Sequence, residues 1–275
     1  MKTNKIIYIQ AVSSDIGHHL ANHWIEQGNS VSGTYRTMSS NVEALIEIGV
    51  KVTECNLNDP QSIDAFADWT LGQPPWDVFV LAAGVQEPIG LFSTIDIDLW
   101  EASIYQNFVS QFRLLRKVLE SRNLSTPHPP VVLMFAGGGT NSATVRYSAY
   151  TISKIACIKM CELLDAEVRD TTFTILGPGW VDTKIHEATL RAGEENAGEN
   201  LSKTRSMLED GKCNPMSRVI ECCDWIVNAP KEVVGGRNFS LAHDPWDSNA
   251  ISCIENDPDL FRLRRFGNNF FGEDA

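Results

Sequence analysis

Positive charge is scarce in this chain: 23 of its 275 residues are Lys or Arg, against 35 Asp or Glu, for a formal net charge of -12. Holding a phosphate backbone takes concentrated Lys and Arg. No basic cluster occurs before Arg262, Arg264 and Arg265, so nucleic acid is excluded as a general partner. That late cluster reads as a solvated or subunit-contacting patch. Long apolar runs are absent too, and nothing approaches the length of a membrane span. The seven cysteines (Cys55, Cys157, Cys161, Cys213, Cys222, Cys223 and Cys253) form no CxxC pair and have no His at zinc-finger spacing. Their odd number predicts reduced thiols and a cytoplasmic protein. The first apolar run, residues 6–9, is too short for the core of a signal peptide and predicts a strand. Repeats and low-complexity linkers are also missing, which predicts one domain.

What is present is alternation. Short β-branched apolar runs at 5–9, 30–35, 51–54, 78–82, 131–135, 172–176 and 238–240 alternate with amphipathic stretches at 16–27, 41–48, 62–71, 98–120, 149–168 and 216–228. This pattern predicts an α/β doubly wound parallel sheet of about seven strands. Two regions break the rhythm. Residues 186–214 are polar and carry Gly193, Gly198 and Gly211, and read as either a substrate lid or surface decoration. Residues 246–275 lack a clear period and read as a tail packing on the same domain, 1–245, or on a neighbouring subunit.

The first strand runs into "QAVSSDIGHHLANHW". A strand–turn–helix unit sets backbone N–H groups and a helix N-terminus against a pyrophosphate, the Rossmann-type arrangement. Ser13 and Ser14 offer hydroxyls, Ile16 follows the turn, and Gly17 permits close approach. Ala11 and Asp15 stand where glycines are usual. A turn with negative φ is expected to accept Ala11, and Asp15 is expected to cap the helix. The second strand ends in "GTYRT", with Arg36 and no acid. A carboxylate there holds the ribose of NAD, whereas an Arg accommodates the 2′-phosphate of NADP, so NADP(H) is expected.

Within "AGGGTNSATVRYSAYTISK", Tyr150, Ser153 and Lys154 lie on one helical face. A nearby ammonium stabilises phenolate and is expected to lower the Tyr150 pKa towards neutrality. The chain resembles the short-chain dehydrogenase/reductase family from Ile6 to about Leu241. The resemblance rests on "SSDIG", "LAAGV", the asparagine of "YQNFVS", "YTISK" and "GPGWVDTKI" in family order. It implies Tyr150 as proton donor or acceptor, Lys154 on the nicotinamide ribose, and Asn107 anchoring a relay water. It also implies cofactor contacts from Asn56, Leu57, Ala83, Gly84, Pro178 and Gly179, with Val181 and Thr183 on the carboxamide. The family's serine before the tyrosine falls at Gly137, or at Ala136 or Gly138 with a one-residue shift, and none carries a hydroxyl. Thr140, Ser142, a backbone N–H or the substrate itself is left to replace it. Leu81 and Ala82 replace two asparagines that brace the sheet centre in the family.

The leading expectation is an NADP(H)-dependent oxidoreductase interconverting a carbonyl and a secondary alcohol on a small polar, possibly sugar-derived, substrate. The alternative is an impaired NADP(H)-binding protein that acts as sensor or partner subunit, and dehydration or epimerisation stays open. A homodimer or homotetramer is implied, built on the helices at 98–120 and 149–168. Ile155, Ile158, Cys161 and Glu162 serve either core or interface there. His18, His19 and His23 read as helix-surface or core residues, with no metal expected. Trp180 and Trp246 read as pocket-lining or buried.

Overall fold

In a computed structural model, residues 4–265 are described. Seven parallel strands form one sheet: β1 (Ile6–Gln10), β2 (Ser30–Tyr35), β3 (Lys51–Glu54), β4 (Val78–Leu81), β5 (Val131–Phe135), β6 (Thr172–Gly177) and β7 (Asn238–Ser240). Their spatial order is β3-β2-β1-β4-β5-β6-β7. The strand order reverses between β1 and β4, where Ile7 pairs with Val31 on one side and Val78 on the other. Such a switch point opens a crevice at the carboxyl ends of the strands.

Strand side chains alternate between faces. Ile7, Ile9, Val78, Val80, Val131 and Leu133 therefore join one core. Tyr8, Phe79, Leu81, Val132 and Met134 join the other. Helices α1 (Asp15–Glu26), α2 (Ser40–Glu47) and α9 (Met216–Asn228) bury apolar residues on the first face. Helices α3 (Pro60–Leu71), α5 (Ser110–Val118) and α6 (Ser148–Glu167) do so on the second. Asp224 of α9 ties α1 in place, taking Trp24 Nε1 at 2.5 Å and His23 Nε2 at 2.5 Å.

The helix expected over 98–120 is interrupted. Helix α4 (Ile97–Ile104) passes through a π-turn (Tyr105–Val109) into α5, with the Ser110 amide donating to Tyr105 O. Such widened turns recur at functional sites because they free carbonyls and turn side chains. The polar stretch 186–214 contains two helices, α7 (Glu187–Ala197) and α8 (Glu199–Glu209), joined at Gly198 with φ 56° and kinked at Gly193 with φ 67°.

Between residues 246 and 265 the chain returns to the first core. Trp246 and Ile254 are buried in it, and Leu260 and Phe261 pack against it. Arg237, buried beneath, donates to the Pro258 and Leu260 carbonyls. Arg264 reaches Glu162 of α6 at 2.7 Å, so this arginine is paired within the chain. Residues 266–275 lie outside the described residues. No described helix is long and apolar enough to cross a membrane.

Candidate functional site

The turn after β1 differs from its sequence expectation. Ala11 has φ 64°, in the left-handed region, where a methyl costs roughly 1–2 kcal/mol. Three hydrogen bonds hold it there: Ala11 N donates to Thr34 Oγ1 at 3.0 Å, and Ala11 O accepts from Ser14 N at 3.0 Å and Ser14 Oγ at 2.8 Å. Ser14, not Asp15, caps α1, accepting from Gly17 N at 3.1 Å. A Cβ on Gly17 would stand 2.4 Å from Ala11 O, so this glycine is required by the turn. Gly33 of β2, which sequence reading passed over, is required likewise: its Cβ would meet Val12 Cγ1 at 2.1 Å. The Asp15 carboxylate reaches away from the helix and accepts from Lys184 N at 2.7 Å.

Arg36 is exposed at the carboxyl end of β2, and among the described residues it forms no ion pair. Asn56 is half-buried, with Oδ1 turned to the Asn58 amide at 3.1 Å. Leu57 is buried in the second core, so it offers a ligand only its backbone.

On α6, Lys154 is buried and donates to Phe135 O at 3.0 Å, with Nζ 5.9 Å from the Tyr150 ring centroid. Burial lowers its pKa and pushes the Tyr150 phenol up to about 12. This direction is opposite to the lowering expected from the neighbouring lysine, with desolvation of the phenolate its largest cause. Tyr150 also covers Gly137, where a Cβ would sit 2.7–2.8 Å from its ring and hydroxyl. Ser153 donates back to Tyr150 O at 2.8 Å. Thr140 is half-buried and Ser142 exposed.

Asn107 sits in the π-turn, fully buried. Its Oδ1 accepts from Val85 N at 2.9 Å, and its Nδ2 donates to Val85 O at 2.9 Å and Ser103 Oγ at 3.3 Å. Its carbonyl accepts from Gln111 Nε2 at 2.9 Å. Asn107 thereby clamps the segment after β4. That clamp brings Gly84 beside the lysine. A Cβ on Gly84 would lie 3.6 Å from Lys154 Nζ and 3.9 Å from Asn107 Oδ1.

The missing asparagines of this segment are replaced from elsewhere. Gln10 of β1 accepts from Ala83 N at 3.1 Å, and Gln111 of α5 donates to Ala83 O at 3.3 Å. Both glutamines are buried. Gln10, ending the apolar run "IIYIQ", was the available signal, since a buried polar side chain requires a partner.

The loop after β6 is pinned by Asn214, a residue not singled out in the sequence. Its Nδ2 donates to Pro178 O at 2.9 Å, its amide to Trp180 O at 2.6 Å, and it pairs with Val181. Gly179 has φ 70° and passes so close that a Cβ would stand 2.7 Å from Asn214 Nδ2. Val181 is buried, and Thr183 Oγ1 donates to its carbonyl at 3.3 Å. Trp180 stacks on His186 at 4.9 Å with Lys203 over its ring, so the indole is engaged by this loop and α8. Trp246 is core. Beyond the loop, the Tyr147 hydroxyl meets Thr189 Oγ1 at 2.7 Å, and Thr189 donates to Gln86 Oε1 at 3.2 Å. Arg191 pairs with Glu87 at 2.8 Å.

The three histidines do not gather. His19 bonds Asp15 O, His23 bonds Asp224, and no group of three or more His, Cys, Asp or Glu able to hold a metal occurs among the described residues. Ile158 and Cys161 belong to the second core, Ile155 packs against it, and Glu162 holds Arg264 and Lys159.

A parallel sheet with its switch point beside a helix N-terminus, and a Tyr–Lys pair at its carboxyl edge, defines a dinucleotide-binding α/β protein. Residues 5–193 match the family described as short chain dehydrogenase. The chain belongs to the short-chain dehydrogenase/reductase family, oxidoreductases that bind NAD(P)(H). It is 26% identical over 190 residues to the uncharacterized oxidoreductase DltE of Bacillus subtilis (strain 168), covering 67% of this chain and 75% of that one. Among solved structures it resembles the KRED1-Pglu enzyme, at 21% identity and TM-score 0.77, covering 85% of this chain and 99% of the other. It also resembles an actinorhodin polyketide ketoreductase variant solved with NADPH, at 20% identity and TM-score 0.73, over 87% and 97% of the two chains.

Proposed function

We propose that this protein is an NADP(H)-dependent oxidoreductase that reduces a carbonyl on a small polar substrate, with Tyr150 as the proton donor. The observation that carries this reading is the convergence of Tyr150, Lys154, Gly84 and Asn107 at the carboxyl edge of the sheet. The cradle suits a dinucleotide in three respects. Gly84 leaves open the space its Cβ would fill, Ser14 organises the α1 N-terminus, and Arg36 is exposed at β2 for a 2′-phosphate.

The nicotinamide supplies hydride chemistry when bound. The chain's residues supply orientation and a proton. Arg36 would hold the 2′-phosphate, Lys154 the nicotinamide ribose, and Val181 and Thr183 the carboxamide. The Tyr150 O–H donates to the substrate oxygen and hands over its proton as the carbonyl becomes an alcohol. The phenol is protonated at neutral pH, as the acid of the reduction must be. Gly137 offers no hydroxyl to a carbonyl, and losing one such donor typically costs on the order of 10²–10³ in turnover. Open space at Gly138 and the polar groups of Gln86, Tyr147 and Thr189 suit a polar substrate, keto-sugars among them. Helices α7 and α8 would serve as its lid, with Gly193 and Gly198 as hinges.

The exposed apolar residues Ile97 and Leu99 on α4, and Ile152 and Leu163 on α6, support a homodimer or homotetramer on these helices. The same protein is proposed to be cytoplasmic. One observation favours the second reading, a binding protein with impaired catalysis: Tyr150 lies in the space a serine would use.

The test is NADPH oxidation over a panel of ketones and keto-sugars, comparing wild type with Tyr150→Phe. Turnover by wild type alone supports the enzyme. Equal turnover by both overturns the assigned acid. Tight NADPH binding without turnover by either supports the second reading. Calorimetry should give NADPH at least about tenfold tighter binding than NADH, roughly 1.4 kcal/mol, with the order reversed in Arg36→Asp.

A further inference from the structure

Three consecutive residues ahead of α6 are all bound to the α7–α8 unit. Val145 O accepts from Asn200 Nδ2 at 3.1 Å. Arg146 Nη1 donates to Glu195 O at 2.9 Å and to Asn196 O at 3.0 Å, near the end of α7. The Tyr147 hydroxyl meets Thr189 Oγ1 at 2.7 Å. Tyr147 also joins Ile89, Ala188, Ala197 and Leu201 in a small apolar core, separate from the two on the sheet faces. The lid therefore rests on the loop that leads into α6.

Arg146 is the strained member of this loop. Its φ is 76°, in the left-handed region that L side chains avoid. Such a conformation persists where its surroundings over-determine it. Here its carbonyl accepts from Gly90 N at 2.9 Å, and its guanidinium satisfies carbonyls that a helix end leaves without partners. Gly198 makes room for that guanidinium, since a Cβ there would stand 2.8 Å from Arg146 Nε.

What these contacts fix is the first turn of α6. The helix begins at Ser148, and Tyr147 before it makes no capping side-chain bond. A first turn without a cap opens readily. Tyr150 lies in this turn, and the Thr151 amide closes it by donating to Tyr147 O at 2.8 Å. Ser148 is tied to α4, its hydroxyl accepting from Trp100 Nε1 at 3.0 Å, while residues 145–147 are tied to the lid.

We propose that Arg146 is a positioning residue that couples α7–α8 to the first turn of α6, so that the seated lid sets Tyr150 for proton transfer. It acts through the backbone of Tyr147 and touches neither substrate nor cofactor. This rests on the oxidoreductase reading above and adds that the lid governs the proton-transfer step, beyond enclosing the substrate.

The experiment compares wild type, Arg146→Gly, Arg146→Lys and Gly198→Ala in the full chain. Arg146→Gly removes the guanidinium and the strain together, because glycine adopts positive φ freely. Arg146→Lys returns a cation able to donate to the same carbonyls, and Gly198→Ala displaces the guanidinium from the lid side. Hydrogen exchange at the Thr151 amide should quicken about tenfold in Arg146→Gly and Gly198→Ala and stay near wild type in Arg146→Lys. In ketone reduction, Arg146→Gly should lower kcat about tenfold with KM and NADPH affinity close to wild type, and Arg146→Lys should restore most of the rate. A raised KM at unchanged kcat, or Thr151 exchange equal in all four proteins, overturns the proposal. Altered exchange in a protein whose wild type turns over no ketone would uphold the coupling and remove the oxidoreductase reading.

Discussion

Tyr150 leans over Gly137 so closely that a Cβ on the glycine would stand 2.8 Å from the phenolic oxygen. The absent side chain and the position of the ring are one feature, since the tyrosine fills the volume that the glycine leaves. Gly137→Ala should therefore cost about 1–3 kcal/mol by overpacking. In a Tyr150→Ala background the same change should cost little. Chemical denaturation of the four proteins measures the coupling, and additive losses would show that the two residues do not share this space.

The alkaline titration of Tyr150 has a defined direction. Burial raises the phenol to about 12, so the folded protein holds this proton more tightly than an unfolded chain does. The associated stability is present below the ordinary tyrosine value of about 10 and lost as pH rises through about 12. The ultraviolet phenolate difference between wild type and Tyr150→Phe should accordingly be flat to about pH 10. Carbonyl reduction should hold its rate between about pH 6 and about pH 9. A phenolate signal from Tyr150 near neutrality would contradict both.

Ala11 at φ 64° carries strain that glycine does not. Ala11→Gly should relieve roughly 1–2 kcal/mol and lose about 0.4–1 kcal/mol to the freer unfolded chain, for a net gain near 1 kcal/mol. The urea midpoint reports it. A fall in the midpoint would mean that the methyl packs favourably enough to outweigh the strain.

Gln10→Leu should be costly despite adding apolar surface. It removes the acceptor for the partly buried Ala83 amide, a loss of about 1 kcal/mol. It should also disturb the Gly84–Lys154 approach, read as weaker NADPH binding. Unchanged stability and affinity would show that Gln111 braces the segment alone.

Glu162 links α6 to the C-terminal segment. Hydrogen bonds from Arg264 and then Lys159 hold its carboxyl at about 2. Its folded pKa is depressed, so its contribution is present above the ordinary carboxylate value of about 4.3 and lost as pH falls through about 2. Glu162→Gln should remove about 1 kcal/mol at neutral pH, since the pair is partly solvated, and flatten the acid limb of the stability profile. Parallel acid limbs for the two proteins would contradict the assignment.

Periodicity alone determined the layered architecture. Seven apolar runs of strand length between amphipathic stretches have one economical way to bury both strand faces, a parallel sheet between helices. The Tyr150–Lys154 pair was legible for a related reason: four residues along a helix is a fixed geometry, independent of everything else in the chain. Contacts across long sequence separations were not legible. Nothing local says that Gln10 reaches Ala83, that Asn214 grips Pro178, or that Lys184 crosses to Asp15. The sign of φ at Ala11 was decided by three hydrogen bonds with Thr34 and Ser14, and it reversed the expectation drawn from the residue type. The Tyr150 proton affinity likewise turned on burial, a property of the packed molecule, where the neighbouring lysine alone had argued the opposite. Helical and strand spacing are set by the backbone of a few consecutive residues. Desolvation and hydrogen-bond partnership are set by whatever the folded chain brings alongside, and only the tertiary structure specifies that.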